Sequence, residues 1–377
     1  MLKYSNTISY WEKHSFISVF DLIVIGSGIV GINAAIAYKK KYPSHKVLVI
    51  ERGSIPTGAS TKNAGFACFG SPSELIADFS KTEENIVLET IEMRWNGFKR
   101  LRKIVGDKNL EYQQNGGFEV FDSEKKFNEV VDQLKELNKK LTPITKAKET
   151  FKINCKKITD NGLKGFSGLI ESLKEGQLNP GKMMFSLMEI ACKLGVFTWN
   201  ENVNSFEQLS NGVQLKLESG IELNCKNLII ATNGFAKQLV RDINVIPART
   251  QVLITSPIKK LKLKGVFHYD EGYFYFRNVG DRVLLGGGRN LDFKNEETDQ
   301  FGTTKKIQDK LEEILYGKIL PGKNFIIEHR WSGIMGLGSE KKPIIKHLSK
   351  NVVIAVRMGG MGVAIGTLVG EMAANEI

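Results

Sequence analysis

Three glycines and one acidic residue near the N-terminus have the types and the spacing needed to hold a dinucleotide. Gly26, Gly28 and Gly31 form a G-x-G-x-x-G pattern, and Glu51 follows Gly31 by 20 residues. In this pattern the first glycine permits a tight turn, the second lets a pyrophosphate approach the backbone, and the third lets a helix pack closely on a strand. The carboxylate of Glu51 can accept hydrogen bonds from an adenosine ribose.

The segments around these residues have the order strand, helix, strand. DLIVI is a short apolar run typical of a buried strand, GIVGINAAIAYKKKY has a helical pattern, and KVLVIE is a second apolar run. A β-α-β unit brings the glycines to the N-terminus of the helix, where free N–H groups favour phosphate. The pattern predicts a site for FAD or NAD, whereas a purely structural glycine turn would not require the acidic residue.

Length and composition indicate a soluble, two-domain globular protein. The chain has 377 residues, of which 42% are hydrophobic. It contains no apolar run of about 18 residues that could span a bilayer, and its N-terminus lacks the apolar core of a signal peptide, so a cytoplasmic protein is expected. The four cysteines, Cys68, Cys155, Cys192 and Cys225, are far apart, which predicts neither a metal site nor a disulfide framework.

The net charge of +12 raises the possibility of a nucleic-acid partner. The lysines, however, are interleaved with Glu and Asp in helical patterns such as KKFNEVVDQLKELNKK, which is typical of a solvated helix face. This distribution argues against dedicated nucleic-acid binding.

The segment after Glu51 separates FAD from NAD by a resemblance to a known family. RGSIPTGASTKNAGFACFGS has neither helix nor strand periodicity and contains a G-A-S-x-x-x-A-G pattern. Later stretches continue the match: GQLNPGKMMFSLMEIACKLGVFTWNENV, NLIIATNGFA, WSGIMGLGSEKKPII and VVIAVRMGGMGVAIGTLVGEMAANEI. The chain thus resembles the D-amino-acid oxidase superfamily of FAD-dependent amine and amino-acid oxidoreductases, the glycine oxidase and sarcosine oxidase group.

This resemblance implies FAD as the cofactor and assigns contacts to it along most of the chain. The expected FAD-binding residues are Gly26, Gly28, Ile29, Val30, Gly31, Glu51, Arg52, Gly58, Ala59, Ser60, Asn63, Ala64, Gly65, Phe66, Val203, Ala231, Thr232, Gly234, Gly333, Met335, Gly359, Gly360, Met361, Gly362 and Val363. The last five form a glycine-rich turn before a helix, whose backbone N–H groups could stabilise negative charge on reduced flavin. Because no cysteine lies near Ile334 and Met335, where some relatives attach the flavin, non-covalent FAD is expected.

The same landmarks predict the fold class and the domains. We expect an α/β protein with a Rossmann-type FAD-binding domain and a second, α+β substrate domain built on a mixed sheet. The FAD-binding domain is predicted to be discontinuous, with residues 1–88, 168–240 and 328–377, and the substrate domain to contain residues 89–167 and 241–327.

Candidate substrate contacts lie on the predicted strand GYFYFRN. Its alternation places Tyr273, Tyr275 and Arg277 on one face, and in the resembling enzymes a tyrosine of this strand lies over the substrate. Arg289 and Arg330 are further candidates, while His329 and His347 are isolated in sequence and are expected to be hydrogen-bonded or solvated.

Two departures from the family pattern leave the substrate and the electron acceptor open. Met335 stands where glycine oxidases have an arginine for the substrate carboxylate, and a thioether cannot form a bidentate pair. The substrate is therefore an amine without an α-carboxylate, or another arginine binds the carboxylate. Leu284 and Leu285 stand near the position of the lysine that helps sarcosine oxidases react with oxygen, so the acceptor is oxygen or another molecule.

The expected reaction is oxidation of a C–N bond in a small amine or amino acid by hydride transfer to flavin N5, with hydrolysis of the released imine. Met335, Tyr273, Tyr275 and Arg277 are the residues predicted to face the substrate. The alternatives are oxidation of a 2-hydroxy acid, for which relatives usually have a catalytic histidine, modification of an RNA-borne amine, and a non-catalytic flavoprotein subunit.

Overall fold

Two large β-sheets organise the chain in the computed structural model, which describes residues 7–377. The strands are β1 (Phe20–Ile25), β2 (Val47–Glu51), β3 (Phe66–Ala67), β4 (Gly117–Phe121), β5 (Lys152–Ile153), β6 (Gly168–Ser172), β7 (Gly176–Gln177), β8 (Phe197–Asn200), β9 (Val203–Leu209), β10 (Gly212–Leu217), β11 (Glu222–Ile230), β12 (Ile246–Thr255), β13 (Val266–Tyr269), β14 (Phe274–Val279), β15 (Arg282–Gly287), β16 (Ile327–Leu337), β17 (Ile344–Ser349) and β18 (Val352–Val356).

The helices connect and cover these strands. The α-helices are α1 (Tyr10–Ser15), α2 (Ile29–Lys41), α3 (Ala59–Lys62), α4 (Pro72–Lys81), α5 (Glu84–Val105), α6 (Asp107–Leu110), α7 (Glu124–Thr145), α8 (Lys156–Asp160), α9 (Pro180–Lys193), α10 (Phe293–Glu296), α11 (Lys305–Ile314) and α12 (Gly362–Asn375). Short 3₁₀ helices at Asn233–Gln238 and Arg289–Leu291 and a π-helical turn at Leu315–Ile319 complete the description.

The first sheet has the strand order β17-β18-β11-β1-β2-β8, and β10 and β9 extend it from β11. The pairs of β1 with β2 and β11, of β2 with β8 and of β11 with β18 are parallel. β1 is apolar on both faces because both are covered: Leu22 and Val24 pack in the layer of α2, α5 and α12, whereas Ile23 and Ile25 pack towards β10.

The second sheet has the order β16-β12-β15-β14-β13-β4-β6-β5 and is mixed, since β4 and β13 are parallel while the other neighbours are antiparallel. One face packs on α11 and the π-helical turn through Phe267, Phe276 and Leu285, among others. On the opposite face, Tyr275 and Leu284 pack against Ala64 and Phe66, which follow α3 in the chain. These two sheets confirm the predicted fold class.

Strand pairing differs from the predicted domain boundaries at two places. β6 and β16 lie in the segments predicted for the FAD-binding domain, yet they pair with β4 and β12 in the second sheet. Conversely, α5 begins before the predicted boundary at residue 88 and packs on α12 through Phe98 and Leu101. The predicted boundaries followed the sequence motifs that resemble flavin-binding segments. The sheet to which a strand belongs depends instead on long-range backbone pairing.

Candidate active site

A cavity of about 850 Å³ lies between the two sheets and is lined by both. From the first sheet, the turn after β1 at Gly26 and Gly28 and the end of β2 at Glu51 line the cavity. From the second sheet, Tyr275 and His268 line it. Its volume lies in the range of roughly 300–1,000 Å³ typical of small-molecule sites. One continuous cavity therefore joins the predicted dinucleotide site to the predicted substrate residues.

The glycine turn has the conformation that the G-x-G-x-x-G pattern requires. Gly26 has a φ of +100°, and a methyl group on it would lie 2.9 Å from the carbonyl oxygen of Ala231. A methyl group on Gly31 would overlap the carbonyl oxygen of Gly26. α2 starts directly after Gly28, so its unpaired N–H groups meet the cavity at the place where a pyrophosphate is expected.

Glu51 is buried at the end of β2, and its carboxylate is held in place by its neighbours. Oε2 accepts hydrogen bonds from the Ser27 backbone N–H at 3.1 Å and from Ser27 Oγ at 2.7 Å, and Oε1 accepts one from the Gly53 N–H at 3.2 Å. Since a carboxylate has about four acceptor positions, it keeps capacity for a ribose hydroxyl from the cavity.

Replacing Glu51 with Gln is expected to weaken FAD binding by about 1–3 kcal/mol, because an amide cannot accept the full set of hydrogen bonds that the carboxylate accepts. Fluorescence titration of the FAD-free protein with FAD measures this loss. Glu207→Gln, on an exposed position of β9, is the matched control. An unchanged FAD affinity of the Glu51→Gln protein would count against the ribose contact.

Most residues predicted to contact FAD line the cavity. Those that do are Gly26, Gly28, Ile29, Val30, Glu51, Arg52, Gly58, Ala59, Ser60, Asn63, Ala64, Phe66, Val203, Ala231, Thr232, Gly234, Gly333, Met335, Gly359, Gly360, Met361, Gly362 and Val363. Gly31 and Gly65 do not: Gly31 packs on the glycine turn, and Gly65, with a φ of +72°, approaches the carbonyl oxygen of Leu178.

The cavity fits FAD by its own geometry. Besides the glycine turn, it follows α3 and the segment to Phe66 and ends at the second glycine turn, where Gly359 and Gly360 have φ values of +58° and +83°. α12 begins there at Gly362, so the N–H groups of Gly362 and Val363 have no partner within the helix, whereas that of Ala364 donates to the Met361 carbonyl oxygen. The N-termini of two helices, α2 and α12, thus meet the cavity.

Tyr273 and Tyr275, the tyrosines predicted to contact the substrate, line the cavity. Tyr275 lies in β14, whereas Tyr273 belongs to the turn after β13, so strand alternation does not place it. The Tyr275 hydroxyl lies 2.9 Å from Thr250 Oγ1. Burial raises the pKa of Tyr275, against a smaller lowering by the Thr250 hydrogen bond, so the phenol stays protonated at neutral pH. Gly286 leaves room for the ring, since a methyl group on it would lie 2.6 Å from a ring carbon.

The three candidate arginines occupy different environments. Arg277 is 5% exposed beside Gly65 and is absent from the cavity lining of the described residues, and burial lowers its pKa to about 10. Arg330 donates to Gln308 and Glu312 at 2.5 Å each, on the side of α11. Arg289 lines the cavity. A direct substrate contact by Arg277, expected from sequence, therefore has no support in the cavity lining, because two residues along the strand carry it past the cavity wall.

Arg289 is a guanidinium without a polar partner among residues 7–377. It stacks on Phe293, with 4.7 Å from the guanidinium carbon to the ring centroid, and makes no ion pair or hydrogen bond within that range. Burial lowers its pKa, opposed by the nearby Tyr273, Glu296 and Glu297, but an arginine stays charged at neutral pH. A half-buried, unpaired cation at the cavity wall is a ready site for an anionic group.

His268 is a cavity residue that the sequence reasoning missed. It is 7% exposed, and burial lowers its pKa to about 4, opposed by the charge of Glu74. The hydrogen-bonded or solvated state expected of the other histidines does not describe it, because its buried Nε2 has no partner in the described structure. The sequence VFHYDEGYFYF could have indicated this residue. If it is interpreted as a hairpin with a four-residue turn, His268 pairs with Tyr275, which was already a candidate.

A partly buried ionic cluster lines one side of the cavity. Lys341, between β16 and β17, binds Glu74 and Asp78 of α4 at 2.8 Å each, and Arg94 lies 3.6 Å from Glu74. Burial alone would raise the pKa of Glu74, but Lys341 and Arg94 outweigh it and hold that pKa at about 2. The cluster fixes the segment after β16 against α4 at neutral pH.

Glu175 predicts a pH dependence of stability. It is 2% exposed, accepts a hydrogen bond from the Phe69 N–H at 3.0 Å, and burial raises its pKa to about 8. The folded protein keeps a proton that the unfolded chain releases near pH 4.5, so this residue makes stability fall as pH rises from about 4.5 to 8.

Glu175→Gln, which resembles the protonated acid, is expected to be more stable than the unmodified protein at pH 8, on the order of 3 kcal/mol, and equally stable at pH 4. Urea unfolding at the two pH values measures the difference. Glu218→Gln, on an exposed position after β10, is the control. A stability difference between the Glu175→Gln protein and the unmodified protein that is the same at both pH values would contradict the assigned protonation.

Comparison with known proteins agrees with this geometry. Residues 21–376 match the family of FAD dependent oxidoreductases named DAO. A D-amino acid dehydrogenase of Helicobacter pylori is 22% identical over 94% of this chain and 94% of its own length. Among solved structures, L-proline dehydrogenase from P. horikoshii superposes with a TM-score of 0.76 at 18% identity, over 95% of this chain and 93% of that chain. Glycine oxidase from Geobacillus kaustophilus gives 0.74 at 18% identity, over 94% of both.

The fold and the cavity between the two sheets are those of an FAD-binding protein. The chain belongs to the DAO family of FAD-dependent oxidoreductases. It is therefore an FAD-dependent oxidoreductase. No helix within residues 7–377 is both long and apolar enough to cross a membrane. The same residues contain no group of three His, Cys, Asp or Glu side chains that could hold a metal ion.

Proposed function

We propose that the chain oxidises the C–N bond of an amino acid whose carboxylate is bound by Arg289. The observation that carries this proposal is the unpaired guanidinium at the cavity wall, next to Tyr273 and on the side of the second sheet. The relatives named above are described as acting on D-amino acids, L-proline and glycine, all of which carry an α-carboxylate. Arg289 would thus replace the arginine that the family pattern has at Met335.

The residues of the chain would bind and orient the substrate. Arg289 can pair with a carboxylate through two parallel N–H donors, which fixes its direction as well as its position. The protonated Tyr275 hydroxyl, oriented by Thr250, can donate a second hydrogen bond. FAD, when bound non-covalently in the cavity, supplies the acceptor for the hydride that leaves the α-carbon. Burial of the substrate amine by Phe66 and Tyr275 favours its neutral form, and water then hydrolyses the imine to a carbonyl compound and ammonia.

Met335 supports a different substrate, an amine without an α-carboxylate. Its side chain lines the cavity, and its sulfur lies 3.4 Å from the position of a methyl group on Gly360. A thioether there makes that wall apolar and polarisable, which suits an alkyl or aromatic group. Under this alternative small free amino acids are poor substrates.

His268 supports a second reaction class, oxidation of a 2-hydroxy acid. A neutral imidazole can accept the hydroxyl proton as the C–H bond is broken, and this residue lines the cavity with its buried Nε2 unpaired. The carboxylate of such a substrate would use Arg289 in the same way.

Anaerobic reduction of the bound flavin distinguishes these substrates, because it needs no knowledge of the electron acceptor. The panel contains glycine, sarcosine, D- and L-alanine, D- and L-proline, D- and L-lactate, and benzylamine. Loss of the flavin absorbance with amino acids and not with benzylamine or lactate supports the proposal. Reduction by benzylamine alone supports the apolar alternative, and reduction by lactate alone supports the hydroxy acid.

A further inference from the structure

The ring of His268 is a buried polar group that lines the cavity on the side of the second sheet. No described residue hydrogen-bonds either ring nitrogen, and the ring is 7% exposed. Buried polar side chains nearly always have a hydrogen-bond partner. A ring at a cavity wall without one indicates that the partner comes from the molecule that occupies the cavity.

Strand register places this ring beside the residues that would hold the substrate. His268 of β13 pairs with Tyr275 of β14, which pairs with Gly286 of β15, and Arg289 follows the end of β15. Side chains of directly paired residues lie on the same face with Cβ atoms about 4.5–5.5 Å apart. Gly286 has no side chain, and the Tyr275 ring lies over it; His268, Tyr275 and Arg289 all line the cavity.

The environment keeps the ring neutral. Phe66 meets it edge to face with 5.2 Å between the centroids. The titratable groups that face it from the packed elements are Glu74 of α4, Glu119 at the paired position of β4, Glu271 in the β13–β14 turn, and Tyr275. Of these, Glu74 is engaged by Lys341 and Arg94, and Glu119 accepts a hydrogen bond from the Ser73 N–H at 2.9 Å. A neutral imidazole has one N–H and one acceptor nitrogen, whereas an imidazolium has no acceptor.

We propose that His268 holds the amino group of the substrate by accepting an N–H hydrogen bond at a ring nitrogen, while Arg289 holds the carboxylate. This inference rests on the proposed function and adds the residue that binds the hydrogen-bond donor at the α-carbon. His268 is then a substrate-binding residue, and it orients the α-carbon by fixing two of its substituents.

Binding to the dithionite-reduced holoenzyme under anaerobic conditions tests the contact without turnover, because reduced flavin accepts no further hydride. The probes are matched pairs that differ only in the amino group: glycine and acetate, D-alanine and propionate, L-proline and cyclopentanecarboxylate. The pair used is the one whose amino acid reduces the oxidised flavin fastest. Isothermal titration calorimetry gives the dissociation constants.

In the unmodified protein the amino acid is expected to bind roughly twofold to tenfold more tightly than its partner acid, as for a hydrogen bond between neutral groups. His268→Phe keeps an aromatic ring against Phe66 and is expected to abolish this preference without weakening the binding of the acid. His329→Gln, on an exposed position of β16, should keep it. A preference that persists in the His268→Phe protein would overturn the inference.

A measurement on the unmodified protein covers the case in which His268→Phe does not fold. With ¹⁵N-labelled histidine, the ring resonances of His268, identified by their loss in His268→Asn, should shift with the amino acid and not with the partner acid. Resonances that respond equally to both ligands would refute the contact. If Arg289→Ala loses binding of both ligands while His268→Phe keeps the preference, only this inference fails; if the unmodified protein binds neither ligand, the proposed function fails with it.

Discussion

Arg289→Ala should lower kcat/KM for the amino acid that best reduces the flavin by roughly a hundredfold, since it removes a bidentate, charge-assisted pair worth about 3 kcal/mol. Of the three candidate arginines, Arg289 lines the cavity. No described residue accepts a hydrogen bond from its guanidinium, so all of its N–H donors are available to a substrate. FAD affinity should stay unchanged, because the dinucleotide end of the cavity lies on the first sheet. Stopped-flow flavin reduction and an FAD titration measure the two effects.

Arg330→Ala is the control for this substitution, since Arg330 is engaged by Gln308 and Glu312 outside the cavity lining. It should retain the amino-acid activity. Equal activity of the Arg289→Ala protein and the unmodified protein would refute the carboxylate contact, and loss of activity in Arg330→Ala alone would move the contact to the other arginine.

Met335→Arg separates the two substrate hypotheses. If Arg289 binds the carboxylate, a guanidinium at position 335 should restore part of the activity in the Arg289→Ala protein and add little to the unmodified one. If the pocket instead suits an amine, the single Met335→Arg variant should raise the activity toward glycine or sarcosine by roughly ten- to a hundredfold from a low value.

Gly31→Ala is expected to abolish measurable FAD binding and to lower the free energy of unfolding by about 3 kcal/mol, at the upper end of the usual cost of overpacking. A methyl group there would overlap the carbonyl oxygen of Gly26, and neither the turn nor α2 can move without opening the β-α-β unit. Urea unfolding of the FAD-free protein and an FAD titration give the two values.

Gly317→Ala is the matched control for Gly31→Ala. Gly317 also lies in helical backbone, and a methyl group on it has no atom within 4 Å. This variant should retain both stability and FAD affinity. A Gly31→Ala protein that binds FAD normally would show that the glycine turn does not need this close approach.

The dinucleotide site could be predicted from the sequence because its parts are local. The turn at Gly26, the close packing at Gly31 and the acid at the end of β2 follow from glycine conformations and from periodicities within one β-α-β unit. The placement of Tyr275 towards the cavity also follows from a local rule, the alternation of side chains along a strand.

The residues that complete the substrate site depend instead on how distant elements pack. From the sequence, Arg277 was predicted to face the substrate, and Arg289 and Arg330 were further candidates. Only the packing of the elements that carry them shows that Arg289, among these three, lines the cavity. His268 carries no motif, and it reaches the site because β13 pairs with β14 in one register. The cluster of Lys341 with Glu74 and Asp78 joins residues more than 260 positions apart. Such contacts depend on strand register and on the packing of distant elements, which no short window of sequence records.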